Sequence, residues 1–164
     1  MNVLMLCTGN SCRSIMAEAT FNHLAPKGWQ ALSAGSKPTG YIHPRALALL
    51  SDEGIKNVDY YSKSWHDLPV IPDIVISVCA NAANETCPHY LTHAIRTHWG
   101  VEDPAHATGS DSDIRQAFEQ AYRILRFRIE TFLQLPLDNL SKQPDQLKLA
   151  MDEIGVALPA QFSR

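Results

Sequence analysis

Four cysteines and an arginine carry the chemistry legible in this chain of 164 residues. The segment Cys7-Thr8-Gly9-Asn10-Ser11-Cys12-Arg13-Ser14 follows directly on the apolar run Val3-Leu4-Met5-Leu6. A strand feeding a short loop and then a helix start offers unpaired backbone N–H groups, at the positive end of the helix dipole, to an anion. Arg13, six positions after Cys7, can close that cradle with a planar two-pronged guanidinium. The same field favours a thiolate, which makes Cys7 the candidate nucleophile. Gly9 lets the backbone curl, and asparagine at position 10 tolerates positive φ. The Ser14 hydroxyl is placed to cap the helix and to hydrogen-bond the thiolate. The oxyanion cradle is therefore read as Thr8, Gly9, Asn10, Ser11, Cys12, Arg13 and Ser14, with the Cys12 side chain assigned a packing role.

The elements that must position this loop alternate strand and helix. Asn2 to Leu6 reads as a buried strand, Ser14 to Leu24 as a helix, and Gln30 to Ala34 as a second strand. Pro44 opens a helix with Leu47, Leu49 and Leu50 on its apolar face and Gly54 as its stop. The β-branched run Ile74 to Val78 reads as a central parallel strand, and a fourth strand falls within His93 to His98. Asp111 to Leu133 repeats apolar residues at helical spacing, with Arg123, Arg126 and Arg128 assigned to a solvated face. This pattern predicts an α/β sandwich on a parallel sheet. A last helix, Pro144 to Glu153, is expected to end at Gly155. Residues 1–134 then form the main domain, and 135–164 a helical appendage packed on it through Leu140, Leu147, Leu149, Met151 and Ile154.

Composition narrows the partners. With 14 Lys+Arg against 17 Asp+Glu the formal charge is −3, which gives no reason to expect a nucleic acid or an anionic membrane. No secretory leader or membrane-spanning run is legible, so a cytoplasmic location is expected, and cysteines in that reducing compartment point to catalysis or redox work. Cys79 ends the Ile74–Val78 strand, at the sheet edge from which the Cys7 loop emerges. Cys87 follows eight positions later across Ala80-Asn81-Ala82-Ala83-Asn84-Glu85-Thr86, a short helical turn or mobile loop that would let it reach Cys79 and expose a disulfide. Zinc on the four cysteines is disfavoured, because paired Cys-x2-Cys knuckles are missing and Arg13 repels a cation.

The Cys-Thr-Gly-Asn-Ser-Cys-Arg-Ser loop, the Cys79/Cys87 pair and His98-Trp99-Gly100-Val101-Glu102-Asp103-Pro104 together resemble the arsenate reductase branch of the low-molecular-weight tyrosine phosphatase superfamily. The resemblance implies a three-layer sandwich with a four-stranded parallel sheet and the anion loop after the first strand. It implies that Cys7 attacks arsenate held by Arg13 and the loop, that Asp103 acts as general acid, and that Cys79 then Cys87 relay a disulfide to thioredoxin or to glutathione with glutaredoxin. Phosphate and sulfate would bind as analogues, and an external thiol reductant would be needed with no bound cofactor. Ala105 and His106 stand where the phosphatases commonly carry an aromatic pair after Asp-Pro, so phosphotyrosine or another phosphomonoester is the alternative substrate. A non-catalytic redox module retaining the loop is a third reading. Asn10, Glu18 and Ser33 match potassium-binding positions of some reductases, but Tyr60 to Ser64 lacks the acidic residue expected there and Lys63 brings its own charge; no metal is expected.

Overall fold

The computed structural model describes residues 1–56 and 59–162, so the last two residues of the expected appendage lie outside it. Strands β1 (Asn2–Cys7), β2 (Gln30–Gly35), β3 (Ile74–Ser77) and β4 (Ile95–His98) form one sheet in the order β2-β1-β3-β4, every pair parallel. Consecutive residues of β1 and β3 are buried. Because successive side chains of a strand point to opposite faces, both faces of the sheet must be covered. Helices α1 (Arg13–Leu24), α2 (Pro44–Asp52), α3 (Ala80–Asn84), α4 (Asp111–Leu133), α5 (Leu137–Leu140) and α6 (Pro144–Val156) provide that cover. No helix among the described residues is long and apolar enough to cross a membrane.

The strand order decides where the site lies. β1 has β2 on one side and β3 on the other, so the connections leaving β1 and β3 part at the carboxyl edge of the sheet. Such a switch point opens a crevice. Cys7 ends β1, and Cys79 follows β3 by two residues, with Val78 N–H bonded to Leu6 O at 2.9 Å. Two thiols distant in sequence are thereby placed at one edge.

Local signals set most element ends. His43 caps α2 by accepting Arg45 N–H on Nδ1 at 3.1 Å, Pro44 supplies the first turn, and Gly54 leaves the helix with φ 75°. α4 begins on a capping box, Ser110 Oγ taking Asp113 N–H and Asp113 taking Ser110 N–H. Its buried stripe of Phe118, Ala121, Tyr122, Leu125, Ile129 and Phe132 packs on α1. Phe132 meets Phe21, Trp29 and Trp99 with ring centroids 5.7–6.1 Å apart, in the tilted and edge-on geometries that favour aromatic pairs.

Four expectations need correction. Arg128 is not solvated: it is 4 % exposed, because 125, 128, 129 and 132 fall on the same buried stripe. Gly155 does not end α6, which runs on to Val156; a Cβ there would come within 2.4 Å of His98 O, so glycine allows close packing. In the appendage Leu147, Met151 and Ile154 are buried, whereas Leu149 is 65 % exposed. Ser14 does not cap α1: the helix starts at Arg13 with Cys12 as its N-cap and no side-chain cap bond.

Candidate active site

A cavity of about 650 Å³ opens at the carboxyl edge of the sheet, lined by Cys7, Cys12, Arg13, Cys79 and Asp103 among others. The loop that walls it is held from outside. The carbonyls of Thr8, Gly9 and Ser11 accept the amides of Lys37, Thr39 and His43 at 2.9–3.0 Å. Among the described residues, the Gly9, Ser11 and Cys12 amides are donated to no protein acceptor, the condition an anion cradle requires. Asn10 is wholly buried with φ 45°; its side chain accepts Lys63 N–H at 2.8 Å and donates to Ser14 Oγ at 2.9 Å. Ser14 therefore serves the loop's scaffold, and its expected bond to Cys7 is not formed. Gly35 is needed beside the loop, since a Cβ there would meet Thr8 O at 2.3 Å.

Arg13 is aimed before any anion arrives. Its Nη1 donates to Val101 O at 2.9 Å and its Nη2 pairs with Asp103 at 3.1 Å, while its Nε is buried without a partner. Asp103 also caps the turn after it by accepting Ala105 N–H at 3.0 Å, and it receives the Cys12 thiol at 3.6 Å. Cys12 is thus a buried neighbour of the acid. Burial first, then the Asp103 charge, pushes its thiol up to about 12. The expected general acid and the expected arginine do share one cavity.

Cys7 and Cys79 line one cavity and share a hydrogen bond, so that the ionisation of one sulfur opposes that of the other. The bond from Cys7 pulls Cys79 down to about 5 against the cost of burial; Ala82 N–H at 3.4 Å and Thr8 support the anion. Cys7, on the donor side, is held well above the ordinary thiol range by that same bond and by burial, with Arg13 and the Asn10 amide opposing. Those directions favour the thiolate on Cys79 over Cys7 in the anion-free protein, with the Ala82 amide and Thr8 behind Cys79 and the Arg13 charge and the Asn10 amide behind Cys7. Iodoacetamide at about pH 6.5 should therefore mark Cys79 ahead of Cys7, although an ordinary thiol is then only about 1 % ionised. Peptide mass mapping from acid to neutral pH checks this: labelling of Cys79 should rise through about 5, and a rise only in the ordinary thiol range would refute the assignment.

Cys87 is not brought to this pair. It follows α3 in the chain and lines a separate cavity of about 280 Å³ with Ala82, Ala83 and Thr97, which Cys79 does not line. His98 lines both cavities, its Nδ1 2.8 Å from Ser77 Oγ, whereas Trp99 is fully buried. At the position considered for potassium, Glu18 is buried and accepts Ser33 Oγ at 2.5 Å. Burial raises its pKa, opposed by the charge of Lys63, whose ammonium bonds Tyr61 O at 3.1 Å.

Sequence reasoning missed Val101 O as the carbonyl that aims Arg13, the amides that back the loop, and Arg128. Only the last had a signal in the chain, its place on the apolar stripe of α4.

Residues 2–146 match the family described as low molecular weight phosphotyrosine protein phosphatase. A protein named arsenate reductase from Shouchella clausii is 36 % identical over 133 residues, 80 % of this chain and 94 % of that one. A solved structure described as an arsenate reductase in the phosphate binding state superposes with a TM-score of 0.64 at 27 % identity, covering 80 % of this chain and 95 % of the other. A Corynebacterium glutamicum thioredoxin-dependent arsenate reductase gives 0.55 at 26 % identity, over 88 % of this chain and 62 % of that chain.

Proposed function

Given that this chain belongs to the low molecular weight phosphotyrosine protein phosphatase family, we propose that it is a cytoplasmic enzyme that reduces arsenate to arsenite with electrons from thiols. The observation that carries the proposal is geometric: Cys7, Cys79 and Arg13 line one cavity at the anion loop. The named relatives support it.

Arsenate enters the loop and competes with Asp103 for the Arg13 fork. Cys7 sulfur bonds to arsenic, and the thiol proton leaves with an arsenate oxygen as water; Asp103, once protonated, is the acid placed to assist that departure. The Cys79 thiolate next attacks Cys7 sulfur. The sulfur–arsenic electron pair stays on arsenic, which leaves as arsenite, and the Cys7–Cys79 disulfide holds the oxidation. Cys87 then exchanges onto Cys79 and returns Cys7. A dithiol of the thioredoxin kind reduces the Cys79–Cys87 bond, while glutathione with glutaredoxin is the competing donor.

The direct test is arsenite release by purified protein supplied with each reducing system separately. Turnover with either supports the reading. Phosphomonoester cleavage with no arsenite from either would replace it by the phosphatase one, to which the exposed Tyr41 on the cavity rim would offer an aromatic surface. Arg13→Lys should lower kcat/KM for arsenate by roughly 10²-fold or more, because an ammonium retains charge but lacks the planar fork that holds two oxygens in fixed directions beside Val101 O. Steady-state kinetics check this, and wild-type values would remove Arg13 from the site.

A further inference from the structure

The matched family spans residues 2–146, yet the chain beyond it is packed against the loop that carries Asp103. Trp99 Nε1 donates to Met151 O at 2.9 Å, Thr97 Oγ1 to Asp152 at 2.7 Å, and Gly155 lies against His98 O. Arg128 ties the two together. Its Nη1 donates to Gly100 O at 3.0 Å and its Nε to Ala157 O at 3.2 Å. Gly100 precedes Val101, whose carbonyl receives Arg13 Nη1 at 2.9 Å. A continuous path of directional bonds therefore runs from Ala157 through Arg128 and two successive loop carbonyls to the arginine of the anion site.

Burying a guanidinium is expensive, and apolar side chains would pack the end of the chain at a lower desolvation cost. What the guanidinium adds is direction, since its planar fork fixes where two carbonyl groups lie relative to each other. One of these belongs to the loop after β4 and the other to the segment after α6.

We propose that Arg128, braced by the Ala157 carbonyl, is a positioning residue of the active site that holds the Gly100–Asp103 loop so that Val101 O and Asp103 present the Arg13 fork to the oxyanion. The role rests on the anion site described above and makes the segment beyond residue 146 part of its support.

The test uses the full chain carrying Arg128→Met, Arg128→Lys or, as a control, Arg123→Met at an exposed position of the same helix. The probe is inorganic phosphate, its Kd read from protection of Cys79 against iodoacetamide, beside KM and kcat for arsenate. Arg128→Met should weaken phosphate about tenfold and raise KM by a similar factor, the scale of a lost hydrogen bond to a charged group. Arg128→Lys keeps the charge but loses the rigid planar fork that fixes the two bond directions, and should lose nearly as much; Arg123→Met should match the wild type. A folded Arg128→Met with wild-type Kd and KM, whatever its melting temperature, overturns the proposal by showing a purely structural role. So does an unimpaired Arg128→Lys, which would leave only a charge effect, and that variant decides the matter if Arg128→Met does not fold. Failure of the wild type to reduce arsenate would fall on the proposed activity instead, because the phosphate comparison reads the anion site alone.

Discussion

Cys7→Ser abolishes arsenate turnover, and any phosphomonoester hydrolysis with it, by at least roughly 10⁴-fold, a scale in keeping with removal of a covalent nucleophile. Serine keeps the size of the group but not its chemistry. Its hydroxyl does not ionise in the range where a thiol does, and an oxygen cannot form the disulfide that carries off the oxidation. The Cys7 environment sharpens this expectation: the bond to Cys79 and burial push the thiol up, so its proton must leave as the sulfur attacks. Arsenite release and p-nitrophenyl phosphate cleavage on the same preparation provide the check, with phosphate binding showing that the loop is intact. Residual arsenate turnover near the wild-type rate would remove Cys7 from the mechanism.

The second large effect separates the two chemistries. Cys79→Ser should stop multiple-turnover arsenate reduction while leaving phosphomonoester hydrolysis within about tenfold, since water can resolve a phosphocysteine but reduction needs a second sulfur. The Ala82 N–H, which now donates to the Cys79 sulfur, would have only a neutral hydroxyl to contact. Cys87→Ser should act later. It should allow one turnover and then accumulate the Cys7–Cys79 disulfide if a thioredoxin-type dithiol is the donor, and keep turning over if glutathione attacks the first adduct directly. Disulfide mapping after a single turnover reads both variants. Normal turnover by Cys79→Ser with each donor, and neither disulfide found, would make the relay wrong.

Much of the frame was legible because local rules and the tertiary fold agree. The strand, loop and helix around Cys7, the apolar stripe of α4 and the capped start of α2 appear where spacing and punctuation put them. Element ends moved by a residue or so where backbone pairing continued past the side-chain signal, as at Cys7 and Gly35, which pair with each other across β1 and β2. Gly155 misled because a glycine near a helix end serves as a stop or as a place of close contact, and only the neighbouring His98 carbonyl decides which.

The sequence by itself determined the reactive groups, the order of elements and the sheet edge at which Cys7 and Cys79 emerge, since these follow from residue type, periodicity and the direction of parallel strands. Tertiary structure decided the surroundings of the two sulfurs. Which sulfur is the thiolate depends on differences among donors that reach it from Thr8, Ala82, Asn10 and Arg13, and such balances exist only after the chain has closed. It also decided that Cys87 lines a separate cavity and that Arg128 turns inward to two carbonyls. Hydrogen bonds and burial act over a few ångströms between residues far apart in sequence, so no spacing along the chain encodes them.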